Sequence, residues 1–379
     1  MSQKKITRRS VITALAGIAG SAIFLTSESS PAEKPLVGAI RWDAWYDPAD
    51  GRVAAAVERA LGPHRYHHRM PFFGTETGYD SVRINGASQS IIDQEIFFAA
   101  DAGIDYWAFD SYAPVNPLST ALKLYLTSSR RSTIQFCMIG SIANGGTSNR
   151  YSDTTMHDIS MMSEIGYVKV IDGRPLYYIL SASDNQITSE WGGVEGVAGL
   201  ISFIRDQVRK TRLKQPYIVL LHGDPERDAT LERQIGCDAI GSYVFAKPRI
   251  QASFHDLVVD VEKDWDEQEG TGMQVVPTVM TGWDQRPLIE NPPFWVSNSE
   301  HKIALDQYYR QGSPQEIAQH LRDALSWVDK HKSAAARTLL IYAWNECAEG
   351  FGALIPTFRP ASETPDTSRL NAVRSVLRK

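Results

Sequence analysis

Two carboxylates three residues apart, at the end of a buried-looking apolar run, are the first feature of this 379-residue chain that could do chemistry. Trp344-Asn345-Glu346-Cys347-Ala348-Glu349-Gly350 follows Leu339, Leu340, Ile341, Tyr342 and Ala343, which read as a strand covered on both faces. Acidic neighbours in such a place repel unless one keeps a proton. A pair divided in that way is how carboxylates share acid and base roles. In parallel-sheet and barrel folds, active sites are built at the carboxyl ends of strands. Whatever else the fold brings to that end therefore decides what the pair can act on.

The elements that must do this are visible as apolar runs alternating with amphipathic segments. Strands are expected at 36–40, 104–109, 133–139, 175–180, 217–221, 239–243, 273–279 and 339–343. Helical patterns intervene at 53–61, 88–102, 118–130, 154–165, 194–210, 254–269 and 314–332, with a last one at 367–377. Such alternation argues for right-handed βα units around a parallel sheet. Eight strands over this length predict an α/β protein, a single (β/α)8 TIM-type barrel with long βα loops, over residues 33–379. No glycine-rich dinucleotide turn follows the first strand, which argues against an open sheet. The stretch Pro287 to Pro293 reads as a long loop after the seventh strand.

The residues just past each expected strand form the candidate site. Trp42 and Asp43 follow the first, Asp110 the second, His222 the fifth, and Tyr243 the sixth. Trp283 and Asp284 follow the seventh; Trp344, Asn345 and Glu346, with Glu349, follow the eighth. Aromatic faces, polar groups and a carboxylate pair are the equipment of a carbohydrate-cleaving cleft. Trp42, Trp283, Trp344 and Tyr243 are candidate sugar platforms. Asp43, Asp110, Asn345, Asp284 and His222 are candidate hydroxyl binders. Each also has a plainer reading: Asp43 as a turn cap, Asp110 as a satisfied structural carboxylate, His222 as a loop histidine. Tyr66-His67-His68-Arg69 has no metal-like partner nearby in the sequence and reads as structural or solvated.

Composition limits the partners. The apolar fraction of 43% and charged fraction of 22% are those of an ordinary globular protein. Net charge is −5, and Lys4, Lys5, Arg8 and Arg9 are concentrated at the start, so the rest is more acidic still. That argues against nucleic acid or an anionic membrane and leaves a carbohydrate substrate as the expected partner. A local basic cleft from Arg41, Arg83 and Arg286 would still admit an anionic glycan. The paired Arg8 and Arg9 precede an apolar run from Val11 to Leu25, too short for a comfortable membrane span, and then a Ser/Pro/Ala stretch. This predicts a twin-arginine signal peptide over residues 1–32 and export to the periplasm or beyond, with no membrane attachment after its removal. Cys137, Cys237 and Cys347 cannot all pair and lack metal spacing; the first two read as buried core residues.

The Trp344–Gly350 segment resembles the W-N-E-x-x-E-G signature that closes the barrel of glycoside hydrolase family 99 and its bacterial polysaccharide-associated relatives. Thr278-Val-Met-Thr-Gly-Trp283-Asp284 is similar to the G-W-D segment before it in those relatives. The resemblance implies a (β/α)8 barrel, retaining endo-acting hydrolysis of α-mannosides, and no metal or organic cofactor. It implies that Glu346 acts as base on the sugar 2-hydroxyl, which closes a 1,2-anhydro ring. Glu349 would be general acid to the leaving oxygen and then base to water. Cys347 stands where many members have an aromatic residue, and Phe351-Gly-Ala-Leu-Ile-Pro356 where they carry an acidic one, so the outer subsites differ. Two other readings stay open. One is a non-catalytic glycan-binding or polysaccharide-assembly protein on the same barrel. The other is a polysaccharide lyase in which Tyr243 or His222 takes a proton beside a uronate.

Overall fold

The computed structural model describes residues 34–45, 51–295, 304–350, 353–359, 362 and 364–378. The expected signal segment over 1–32 lies outside them. Eight parallel strands form the centre: β1 Leu36–Arg41, β2 Tyr106–Asp110, β3 Gln135–Ser141, β4 Arg174–Leu180, β5 Tyr217–His222, β6 Ala239–Ser242, β7 and β8 Thr338–Tyr342. Strand β7 comes in two short pieces, Val275–Val276 and Thr278–Met280. Pro277 divides them, since it has no N–H to give to a ladder. The first piece pairs with β6 and the second with β8, while β8 also pairs with β1, so the strands run round a barrel. Each expected strand is present, shifted by at most a few residues. From Pro35 onward the chain is one compact unit.

The barrel interior is filled by large side chains made possible by glycines on neighbouring strands. A Cβ on Gly38 would lie 2.2 Å from the ring of Tyr106; on the outer face, one on Gly140 would lie 1.9 Å from the hydroxyl of Tyr177, which bonds Asp158 of the helix Asp153–Met161 at 2.8 Å. The Tyr106 hydroxyl in turn bonds Tyr178 and Thr338, each at 2.8 Å. Buried tyrosines are thereby satisfied inside the core rather than left as orphaned polar groups. The three cysteines are buried and unpaired. Among the described residues no helix is long and apolar enough to cross a membrane.

The outer helices follow the expected pattern with additions. Helices Asp184–Trp191 and Pro225–Ile235 were not anticipated. The first is opened by a Ser183/Gln186 capping box; the second by an Asp224 cap with Pro225 at its first position, and it closes at Gly236. The stretch read as a plain loop from Pro287 contains a short helix, Arg286–Glu290, with Pro287 in its first turn. Between the first helix and the second, a 3-10 turn His64–Arg69 leads into an antiparallel hairpin, Gly74–Gly78 with Ser81–Ile84.

Candidate active site

The loop after β8 is turned back into the barrel mouth. The backbone N–H of Trp344 donates to Ile40 at 2.8 Å, and that of Ile355 donates to Trp344 at 2.8 Å. Gly350 N–H returns to the Glu346 carbonyl at 2.6 Å, which closes a turn and sets both glutamates toward the same space. That space is a cleft of about 460 Å3 at the carboxyl ends of the strands. Trp42, Asp110, Tyr112, Tyr243, Glu346 and Glu349 line it with Leu180, Leu288, Phe294 and Trp295. Five sequence-derived candidates thus meet in one cavity: Trp42, Asp110, Tyr243, Glu346 and Glu349.

The two glutamates sit in unlike settings. Glu349 accepts from the Tyr342 hydroxyl on one oxygen and from Gln285 Nε2, at 2.8 Å, on the other. Its backbone carbonyl accepts from Asp284 N–H at 2.8 Å, so the β7 loop fixes both ends of the residue. Glu346 is 6% exposed and is pushed well above the usual carboxylate range. Burial is the main cause, followed by the negative charges of Glu349, Asp110 and Asp43; Tyr243 offsets only part of this.

Asp110 is the third acid of the cleft. Its Oδ2 accepts from Tyr243 at 2.8 Å, whereas its buried Oδ1 has no partner among the described residues. Burial lifts it to about 7, and the Tyr243 bond does not compensate. Trp42 presents its ring to the cleft and donates Nε1–H to the Tyr112 hydroxyl at 2.8 Å. Trp295 meets it edge to face at 5.7 Å, and Phe294 meets Trp295 at 4.9 Å. Phe294 and Trp295 remain 55% and 40% exposed, which leaves aromatic surface open on the cleft rim.

The other candidates lie behind or beside the cleft. Trp344 is fully buried, packs against Trp107 at 5.3 Å and donates to Glu95 at 2.7 Å; it is core, not a platform. Asn345 is fully buried, accepts from Trp42 N–H at 3.0 Å and donates to Asp43 at 3.2 Å, which ties the β8 loop to the end of β1. Asp43 is held by Arg41 at 2.8 Å, and Arg41 also reaches Glu95 at 2.7 Å. Burial raises Asp43 to about 6 despite that guanidinium. Asp284 is locked by Arg69 and by Arg286 at 2.7–2.9 Å. Burial alone would raise it, but these arginines hold it below the usual range. Trp283 packs on Tyr342 at 5.9 Å outside the lining. His222 stands half-exposed outside it, 3.2 Å from Asp228.

No basic cleft forms among the described residues. Arg41 is buried against Asp43 and Glu95, Arg83 pairs with Glu58 on the exposed hairpin, and Arg286 is committed to Asp284 and stacked on Tyr308 at 3.7 Å. The described lining residues include no Lys, Arg or His. Gln285, Tyr342, Tyr112, Phe294 and Trp295 were not singled out from the sequence. Tyr342 lay inside the strand run and had been counted as core, and the last two fall in a stretch without periodicity.

The fold is that of a (β/α)8 barrel, with the cleft at the carboxyl ends of its strands. No protein-family model matches the sequence, and no curated protein matches it. Among solved structures, a GH99 endo-alpha-mannosidase from Bacteroides thetaiotaomicron aligns with 90% of this chain and 96% of its own, at 12% identity and TM-score 0.52. The same enzyme in complex with bis-tris-propane aligns over the same shares at 13% identity and TM-score 0.53. A chitinase from Bacteroides thetaiotaomicron aligns more loosely, over 91% of this chain and 97% of its own, at 10% identity and TM-score 0.44. The expected resemblance to family 99 is thus present in the fold.

Proposed function

We propose that this chain is a glycoside hydrolase that cuts an uncharged α-linked polysaccharide or oligosaccharide, with Glu346 and Glu349 as its working pair. The observation that carries the reading is two glutamates sharing one cleft with a third, half-buried acid, walled by aromatic rings and with no cation among its described lining residues. Glu346 takes the proton of the sugar 2-hydroxyl; that oxygen closes on the anomeric carbon as the glycosidic bond breaks. Glu349 gives its proton to the leaving oxygen. Glu349 then takes a proton from water as the water oxygen attacks the anomeric carbon, and Glu346 returns its proton to the 2-oxygen. One water is consumed and the configuration is retained. Burial and the neighbouring acids raise the affinity of Glu346 for protons, which makes its ionised form a stronger base.

The same burial also favours the reverse assignment, with Glu346 as the proton donor. A glycoside with an activated aryl leaving group separates the two, because it needs no acid. Glu349→Gln is expected to lose about a hundred- to ten-thousandfold on an unactivated glycan and far less on the aryl glycoside. If Glu346→Gln shows that pattern instead, the roles are exchanged.

The lyase reading would bring a uronate beside Asp110, Glu346 and Glu349 with no cation in the described lining to neutralise it, and the charges argue against that. Digestion of a panel of α-linked glycans by the mature protein, read by product mass, tests the hydrolase. Products heavier by one water per cut are expected. Products without that water favour a lyase, and glycan binding without any cut favours a binding protein on the same barrel. Export by the twin-arginine route belongs to the same proposal: replacing Arg8 and Arg9 by Lys is expected to keep the protein unprocessed inside the cell, and normal export of that variant would refute it.

A further inference from the structure

The histidines around residue 67 have no metal-like partner in the adjoining sequence. The hairpin supplies one. It folds Glu76 back over the His64–Arg69 turn, so that Glu76 Oε1 lies 2.7 Å from His67 Nδ1. On the other side of the ring, His67 Nε2 lies 2.7 Å from the Gly62 carbonyl. A carbonyl can only accept, so Nε2 carries the hydrogen and the Nδ1 lone pair is aimed at the carboxylate. Donation of the second ring N–H to a backbone carbonyl is the arrangement that orients metal-binding histidines. Two acceptors facing each other need a positive centre between them, either a proton or a metal ion.

His64 decides which centre the geometry favours. Its ring stands 5.2 Å from that of His67 and stacks on Tyr79 at 4.8 Å. Its backbone is pinned by Asp80, which accepts from the His64 N–H at 3.0 Å. One ligand atom each from His64, His67 and Glu76 all lie within 4.8 Å of one another. A single proton needs only His67 and Glu76. Three convergent donors on one short stretch make a cradle.

We propose that His64, His67 and Glu76 bind a divalent transition-metal ion, Zn2+ in particular, which clasps the His64–Arg69 turn to the Gly74–Ile84 hairpin. Two imidazoles and one carboxylate suit Zn2+ and its neighbours and not Ca2+ or Mg2+, which take oxygen ligands. Ligands at about 2.0–2.2 Å from zinc stand roughly 3.3–3.5 Å apart in a tetrahedron. Glu76 must therefore draw back slightly and His64 swing inward. Both are exposed and have room, whereas buried His67 is the fixed point. A fourth position stays open to water. The site is away from the glutamate pair but is joined to it: the same turn ends at Arg69, which grips Asp284, whose N–H holds the Glu349 carbonyl. The ion would act as a brace for that wall.

The test is calorimetric titration of tag-free, chelator-treated mature protein with Zn2+, paired with thermal melting, and with Mg2+ and Ca2+ as controls. The expected result is one Zn2+ per chain and a raised Tm, with no effect of the controls. His64→Ala and Glu76→Gln, both at exposed positions that leave the fold intact, are expected to weaken binding at least about tenfold. Absence of saturable binding near one equivalent overturns the proposal. Binding undiminished in both variants overturns it as well. Neither readout depends on glycosidase activity.

Discussion

Asp43 and Asp110 follow neighbouring strands of the same barrel mouth and carry the same side chain, but the fold uses them in opposite ways. Asp43 is enclosed with Arg41, Asn345 and Glu95 in a dry cluster below the cleft, where a guanidinium answers its charge. Asp110 opens on the cleft with one tyrosine as partner and one oxygen left over. Burial raises both, Asp43 to about 6 and Asp110 to about 7, the latter without a cation to oppose it. Asp284 repeats the first pattern, enclosed by two arginines, and Glu346 repeats the second. A strand-end carboxylate is thus available for chemistry where the fold withholds its counter-cation, and is a strut where the fold supplies one.

The contrast can be broken most severely from the strut side. Arg41→Ala strands Asp43 and Glu95 in the interior and is expected to cost about 3–5 kcal/mol of stability, measured by denaturant unfolding. A loss under 1 kcal/mol would mean the cluster is not held by its cation. On the cleft side, Tyr342→Phe removes a donor to Glu349 and leaves the packing. It is expected to lower kcat by the equivalent of about 1.5–3 kcal/mol while the melting temperature stays close to wild type. Trp295→Ala removes half-exposed rim surface and is expected to raise KM on long glycans by about 1–2 kcal/mol, with little change in kcat.

Asp110→Asn gives the sharpest sign. The folded protein holds Asp110 up at about 7, well above an unfolded aspartate near 3.9. Below pH 4 both states are protonated and the group is neutral in the balance. As pH rises from 4 to 7 the unfolded chain ionises freely and the buried side chain does so only at a penalty, so stability is lost across that window and stays lost above it. Asp110→Asn is therefore expected to melt higher than wild type at pH 8 and equally at pH 4. A variant less stable than wild type at pH 8 would show that Asp110 is a strut after all.

Much of this arrangement was readable in the sequence. The runs 217–221 and 339–343 are apolar without alternation, which is the mark of strands buried on both faces, and they are β5 and β8. The helix Pro225–Ile235 was missed because its body is mostly polar; its capping Asp224, Pro225 and Gly236 were the readable signals. The hairpin Gly74–Ile84 alternates only over Ser81–Ile84, too short a stretch to reveal it, and its first strand Gly74–Gly78 carries no apolar side chain; with it went the His67–Glu76 pairing. The strand ends foretold where Glu346 and Glu349 emerge. They could not tell that Trp344 turns inward, because a side chain's direction past a strand depends on the turn and on what lies opposite, here Trp107 and Glu95. One counter-cation comes from afar: Arg69 pairs with Asp284 from 215 residues away in the chain, whereas Arg41 and Arg286 stand beside Asp43 and Asp284 in sequence. Pairings at that range are set by topology, and no local spacing encodes them.

The central claim is that the glutamate pair hydrolyses a glycosidic bond. The most direct measurement is to digest an α-linked glycan in oxygen-18 water with the wild-type protein and with Glu349→Gln, and to weigh the products. The account predicts one heavy oxygen at each new reducing end for the wild type and a loss of about a hundredfold or more in the variant. Unlabelled unsaturated products, or near-normal turnover by Glu349→Gln, would contradict it.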